Sequence, residues 1–253
     1  MALLEVRNLT KQFGGLFALD GLTFNIHEGE ILGLIGPNGA GKTTVFNMIT
    51  GTLRQTRGEI RFMGRKITGL KPNKIAGLGA VRTFQVTTLF GDMTVIQNVI
   101  LGGHQKSGIG FWGALWNTRF TRNREMNSRE QAKGILEFMG LKDQEEELAK
   151  NLPHGFQRRL ELAIALAAQP KLLLMDEPLT GMNHEEVKDM LERIARIRQE
   201  GGTILLVEHN MKAVTSICGR IVVLSFGKKI AEGSPQEIIQ NEKVVDAYLG
   251  VEG

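Results

Sequence analysis

The sequence predicts an α/β fold, and three observations carry the prediction. Short continuous apolar runs at Ile31–Ile35, Lys171–Met175 and Thr203–Val207 suit strands of a parallel sheet covered on both faces. The first run leads straight into a glycine-rich loop and then a helical pattern. Between the other two runs, Glu185–Gln199 has the amphipathic period of a covering helix.

Taken in chain order, residues 2–30 read as short strands and turns: Leu3–Val6, then Gly21–Ile26, closed by His27–Glu30. Gly36–Thr43 is a loop, and a helix is predicted from Val45 to near Gly51. Gly58–Phe62 and Lys66–Ile67 read as a further hairpin. From about Val86 to Leu148 the texture changes. Arg122–Phe138 is charged with helical period and Glu145–Glu147 follow near its end, so this segment reads as a helical insertion. After Leu152 the alternation of helix and buried strand returns. No internal repeat or low-complexity segment interrupts the pattern.

At 253 residues the chain suits one large domain, or a domain with a subdomain. A net charge of +4 is too small to point to nucleic acid as a partner. The single Cys218 leaves no disulfide framework, which suits a reducing cytoplasm, and reads as a small half-buried helical residue. Met1–Thr10 lacks the basic and apolar regions of a signal peptide, and no run of about 20 apolar residues is present, so a chain that does not itself span a membrane is expected.

The loop carries the first chemistry. Gly36, Pro37, Asn38, Gly39, Ala40, Gly41, Lys42, Thr43 and Thr44 contain the pattern G-x-x-x-x-G-K-[ST] from Gly36 to Thr43, between a strand and a helix. Glycines let backbone N–H groups approach a polyphosphate without a Cβ in the way. Lys42 can reach the β- and γ-phosphates of a nucleoside triphosphate, and the Thr43 hydroxyl can ligate Mg²⁺. The N-terminus of the following helix adds partial positive charge.

A second motif follows the apolar run Leu172–Met175, which ends in Asp176 and Glu177. Reactive groups of an open α/β sheet gather at the carboxyl ends of its strands. Asp176 can hold Mg²⁺, directly or through water, and Glu177 is placed to polarise a water that attacks the γ-phosphate.

With these two motifs, Gln85, the segment Leu152–Arg159 and His209 stand in an order and spacing that resembles the ATP-binding cassette ATPases, over nearly the whole chain. The resemblance implies a P-loop NTPase core with an antiparallel β subdomain and an inserted α-helical subdomain. Residues 1–85 and 156–253 would form the core and 86–155 the helical part. It implies ATP and Mg²⁺ as ligands and a sandwich of two ATPase subunits around two ATP molecules. Gln85 would sense Mg²⁺ and the attacking water and relay them to a membrane permease. His209 would contact the γ-phosphate. Phe13 falls where the family stacks an aromatic on adenine, with Phe17 the competing candidate and a core position the alternative for Phe13. The permease would dock beside Gln85 and Val86–Val95, where Thr88, Leu89, Phe90 and Met93 are either contact or core; Phe111–Trp116 is a further contact candidate.

Val81–Gln85, Val207–Met211, Asn183 and the tail Ala247–Gly250 are similar to the branched-chain amino acid importers. That implies a peripheral subunit on the cytoplasmic face of the inner (plasma) membrane, served indirectly by a periplasmic or extracellular binding protein. Urea or amide importers, the lipopolysaccharide-export ATPase and a soluble non-transport cassette protein are the alternatives. The family signature Leu-Ser-Gly-Gly-Gln reads Leu152-Pro153-His154-Gly155-Phe156 here. Pro153 has neither hydroxyl nor N–H. His154 and Gly155 are left as the candidate donors to a partner subunit's ATP. That departure favours a non-identical ATPase partner, with a homodimer as the alternative.

Overall fold

In a computed structural model, residues 2–83, 89–103 and 119–249 are described. They form two compact units: Met1–Arg82 with Lys171–Glu177 and Ile194–Gly253, and Thr83–Pro170 with Pro178–Arg193.

The first unit holds two sheets. β1 (Ala2–Phe13) and β2 (Leu16–His27) form a long hairpin, joined by β4 (Arg57–Phe62) and β5 (Arg65–Lys66) in the order β2-β1-β4-β5. The short strands expected at Leu3–Val6 and Gly21–Ile26 are thus parts of two 12-residue strands. Register shifts, such as that between Val6/Phe24 and Leu9/Leu22, break the strict apolar alternation from which strand length is read.

The second sheet has the order β10-β9-β3-β8-β7-β6, from β3 (Ile31–Ile35), β6 (Ala80–Arg82), β7 (Leu172–Asp176), β8 (Ile204–Val207), β9 (Arg220–Ser225) and β10 (Lys228–Gly233). Every pair is parallel except β9 with β10. β3, β7 and β8 are buried along their whole length, which explains their unbroken apolar sequences. After β3 the chain enters α1 (Lys42–Ile49), whose Val45, Phe46 and Ile49 join one apolar core with Leu4, Val6 and Phe62 of the antiparallel sheet and Leu32, Leu174, Leu205 and Val222 of the other. α7 (Met211–Ile217), α8 (Pro235–Ile239) and α9 (Glu242–Leu249) complete this unit, with α2 (Pro72–Leu78). Cys218 is the residue after α7, and is buried.

The second unit is helical. α3 (Val95–Gly103), α4 (Arg119–Phe138) and α5 (His154–Ala167) pack on one another, with 3-10 turns at Lys142–Gln144 and Ala149–Asn151. Gly102 lets α3 approach α5 closely, because a Cβ there would lie 2.5 Å from the Ile164 carbonyl. This unit also takes 178–193, with the first part of α6 (His184–Gln199), where Asp189 pairs with Arg159 at 3.0 Å and with Arg193 at 2.8 Å. The sequence division placed 156–253 with the core. The structure moves 156–170 and 178–193 to the helical unit, because α5 buries Leu160 and Ala163 among helices rather than against the sheet.

Candidate active site

The site grows from the sheet register. β3 ends at Ile35, and Gly36–Gly41 turns into α1. Gly39 and Gly41 have φ of 78° and 105°, backbone that a glycine adopts without a Cβ penalty. Lys42 is the first helical residue and is buried; its Nζ donates to the carbonyls of Gly36 at 2.6 Å and Pro37 at 2.9 Å. Burial pushes the Lys42 ammonium below the usual lysine range, against the opposing pull of Glu177 and Asp176. Thr43 is exposed and Thr44 half-buried on the first turn, as are Asn38 and Gly39 (exposed) and Pro37 (half-buried) on the loop, while Gly36 and Ala40 are buried.

β7 and β8 run parallel with Asp176 opposite Val207. One residue further on, the Glu177 N–H donates to the Val207 carbonyl at 2.9 Å. Two residues beyond Val207 is His209, whose Nε2 lies 2.7 Å from Glu177 Oε1. Glu177 has φ of 49°, a left-handed conformation that costs a non-glycine residue of order 1–3 kcal/mol and clusters at functional sites. Glu208, between them, is buried and its carboxylate accepts from the His209 N–H at 3.1 Å. The structure therefore brings Lys42, Asp176, Glu177 and His209 to the carboxyl ends of β3, β7 and β8.

Asp176 is buried, and its two oxygens differ. Oδ2 accepts from Arg82 at 2.5 Å, whereas Oδ1 is buried without a hydrogen-bond partner. An orphaned buried carboxylate oxygen costs free energy unless something meets it. A hydrated Mg²⁺ shared with substrate phosphates suits it, since that ion keeps several waters and takes only one or two carboxylates. Thr43, the other donor expected from the sequence, is on the first turn of α1. Gln85 lies outside the described residues, so its part in the metal site stays on the sequence alone; Phe111–Trp116 and Thr88 lie outside them too.

Phe13 is 51% exposed and Phe17 48%, so neither is a core residue; they flank the β1–β2 turn, with Lys11 Nζ 4.7 Å from the Phe13 ring centroid. Phe90 and Met93 are likewise exposed rather than core, and Leu89 is half-buried. They sit on a turn pinned from below by Asn98, 1% exposed, which donates to the Phe90 and Thr94 carbonyls at 3.1 and 2.9 Å and accepts from the Phe90 N–H at 3.0 Å. Asn98 was invisible in the sequence because a lone Asn on a helix carries no pattern.

In the segment 152–156, Pro153 caps α5 without a side-chain hydrogen bond, and His154 is exposed with its ring against Gly181. Gly155 is buried because Glu186 fills the space its Cβ would take, with Glu186 Cδ 2.6 Å from that position. Glu186 is fixed in turn by Asn183: the Asn183 N–H donates to Glu186 Oε2 at 2.9 Å, and the Glu186 N–H to Asn183 Oδ1 at 3.0 Å, a reciprocal cap on α6.

The family model described as ABC transporter matches residues 19–180, well over half of the chain. The chain belongs to the ABC transporter family. It is an ATP-binding cassette that hydrolyses ATP to drive transport. A second model, of branched-chain amino acid ATP-binding cassette transporters, matches residues 228–253. Among curated proteins, the cassette is 44% identical over 249 residues to the high-affinity branched-chain amino acid transport ATP-binding protein LivG of Salmonella typhimurium, covering 98% of each chain. It is 43% identical over 249 residues to BraF of Pseudomonas aeruginosa, with the same coverage. Among solved structures, it superposes on the ADP conformation of an ATP-binding cassette of an ABC transporter with a TM-score of 0.86, at 32% identity, covering 99% of each chain. A nucleotide-free cassette gives 0.85 at 31% identity, covering 98% of this chain and 99% of the other. Among the described residues of this cassette, no helix is long and apolar enough to cross a membrane.

Proposed function

We propose that this cassette powers an importer of branched-chain or related amino acids, from the cytoplasmic face of the inner (plasma) membrane beneath a permease. The observation that carries the catalytic reading is the Glu177–His209 pair, 2.7 Å apart at the carboxyl end of β7 and β8, where Lys42 also stands. The cargo reading is supported by the match of the tail and by relatives named for branched-chain amino acids.

In this reading Gly36–Gly41 cradle the phosphates, and Lys42 exchanges the Gly36 and Pro37 carbonyls for phosphate oxygens. Glu177 orients and deprotonates the attacking water, and His209 swings from Glu177 towards the γ-phosphate. Thr43, Asp176 and Gln85 hold Mg²⁺, which when bound neutralises charge that develops on the β- and γ-phosphate oxygens. Phe13 or Phe17, both exposed beside one turn, stacks on adenine. Phe90 and Met93 present an apolar contact to the permease. A second ATPase subunit completes each ATP site. Pro153 gives this chain no hydroxyl there, so a non-identical partner with a full signature, completing the site on this phosphate loop, suits it better than a copy of itself.

The test is reconstitution with candidate branched-chain amino acid permeases and their binding protein. ATP turnover that rises when the binding protein is loaded with leucine, isoleucine or valine supports the reading. Turnover that ignores those ligands and answers to urea or an amide, or a cassette that fractionates away from membranes, refutes it.

A further inference from the structure

Arg82 is the last residue of β6, an edge strand whose partner is β7, with Arg82 opposite Leu174. Side chains two apart on a strand share a face, so Asp176 is the diagonal neighbour of Arg82. The guanidinium is 15% exposed and uses both ends. One terminal nitrogen donates to Asp176 Oδ2 at 2.5 Å, and the other to the Asn47 side-chain oxygen, at 2.7 Å, on α1. Its plane lies over the Phe46 ring, 5.5 Å from guanidinium carbon to centroid. Arg82 thus ties the strand that ends in Asp176 and Glu177 to the helix that begins with Lys42, Thr43 and Thr44. It does so while leaving Asp176 Oδ1 uncommitted.

We infer that Arg82 is a positioning residue for the metal: it fixes the Asp176 carboxylate by Oδ2, so that Oδ1 faces the hydrated Mg²⁺, and holds that carboxylate in register with α1 through Asn47. This rests on the reading of Asp176 as a Mg²⁺-holding group. A bridging role needs the planar fork. Lysine brings the charge but is a single point donor, and cannot span Asn47 and Asp176 in one geometry.

Two forces predict opposite outcomes, which makes the inference testable. If Arg82 acted only as a neighbouring cation, its removal would strengthen Mg²⁺ binding, since it would lift a like charge from the site. If it positions Asp176, its removal weakens Mg²⁺ binding despite that gain. The experiment uses the purified full chain and a fluorescent ATP analogue, titrated with Mg²⁺ and, separately, in EDTA. Circular dichroism and thermal melts in EDTA confirm folding. Arg82→Met is expected to raise the Mg²⁺ concentration for half-maximal response about 5- to 10-fold, and Arg82→Lys by a similar factor, with binding in EDTA changed less than about twofold. An unchanged or lower Mg²⁺ requirement in Arg82→Met overturns the inference, as does full recovery by Arg82→Lys. Should Arg82→Met fail to fold, Arg82→Lys alone decides. Asp176→Asn separates the layers. If it leaves the parent's Mg²⁺ response intact, the metal reading of Asp176 falls and the inference with it. If it abolishes the response while the Arg82 variants leave it unmoved, only the role of Arg82 falls.

Discussion

Two glycines of one loop should respond very differently to a single methyl group. At Gly41 an added Cβ would lie 2.7 Å from the backbone oxygen of Ala18 and 2.7 Å from Leu19 Cδ2, with φ at 105°. Neither neighbour gives way freely: Ala18 is held in β2, and Leu19 is fully buried. Reaching even a tight contact requires a shift of about 0.3 Å, and an ordinary one about 0.7 Å, in a close-packed interior. The shift falls on Gly41, whose carbonyl accepts from the Val45 N–H at 3.0 Å, and so on Lys42 beside it. A displacement of about 1 Å at a reacting group costs on the order of 10²-fold, so Gly41→Ala should weaken ATP binding and turnover by roughly 10-fold or more. At Gly39 the space is open, nothing lies within 4 Å, and φ is 78°. Gly39→Ala therefore carries only the backbone strain of about 1–2 kcal/mol, a melting temperature lower by roughly 2–8 °C, with ATP binding within a few-fold of the parent. Fluorescent-nucleotide titration and thermal melts on both variants check this. Equal losses of ATP affinity at Gly41 and Gly39 would show that the Ala18 and Leu19 contacts are not what reserves position 41 for glycine.

Three further outcomes follow from the geometry. Glu177→Gln keeps the shape at the end of β7 but removes the carboxylate, so ATP should bind, trap a dimer visible by size exclusion, and hydrolyse on the order of 10²-fold or more slowly; turnover at the parent rate would remove Glu177 as the base. Gly155→Ala pushes Glu186 off its reciprocal cap with Asn183, which should cost about 1 kcal/mol and lower the melting temperature by roughly 2–4 °C; a variant that melts with the parent would mean Glu186 has another place to go. Burial pushes the Cys218 thiol from 9.0 to about 12, so alkylation at pH 8 should be on the order of 10³-fold slower than for a free thiol. Because the folded value is the raised one, the stability Cys218 contributes is complete below pH 9 and is lost between pH 9 and about 12. Labelling at a peptide-like rate in the native protein would contradict its burial.

What the sequence made legible was what it encodes locally. The loop Gly36–Thr43 and the strand ending in Asp176–Glu177 each place their chemistry within ten residues, and an apolar strand buried on both faces announces itself as an unbroken run. β6, β9 and β10 were not foreseen. Three-residue β6 is too short for a period, and β10 is exposed or half-buried throughout, so its pattern is polar. The divided α6 was equally hidden, since an amphipathic stripe shows that a face is buried but not against which unit. Distance along the chain set the sharpest limit. Arg82 is visible in the sequence only as a basic residue within the five-residue stretch Val81–Gln85, 94 positions from Asp176. Nothing local distinguishes it from a solvated arginine. Its meaning comes from one fact of topology, that β6 adds to the free edge of β7 with Arg82 opposite Leu174. That register sets the guanidinium against the carboxylate two residues on. A shift of a single residue would turn the Arg82 side chain to the opposite face, away from Asp176 and Asn47 alike. The chain leaves this unit immediately afterwards, at Thr83, and Gln85 follows two residues later. A short edge strand, weak on its own, is thus anchored at its last residue by an ion pair and an amide.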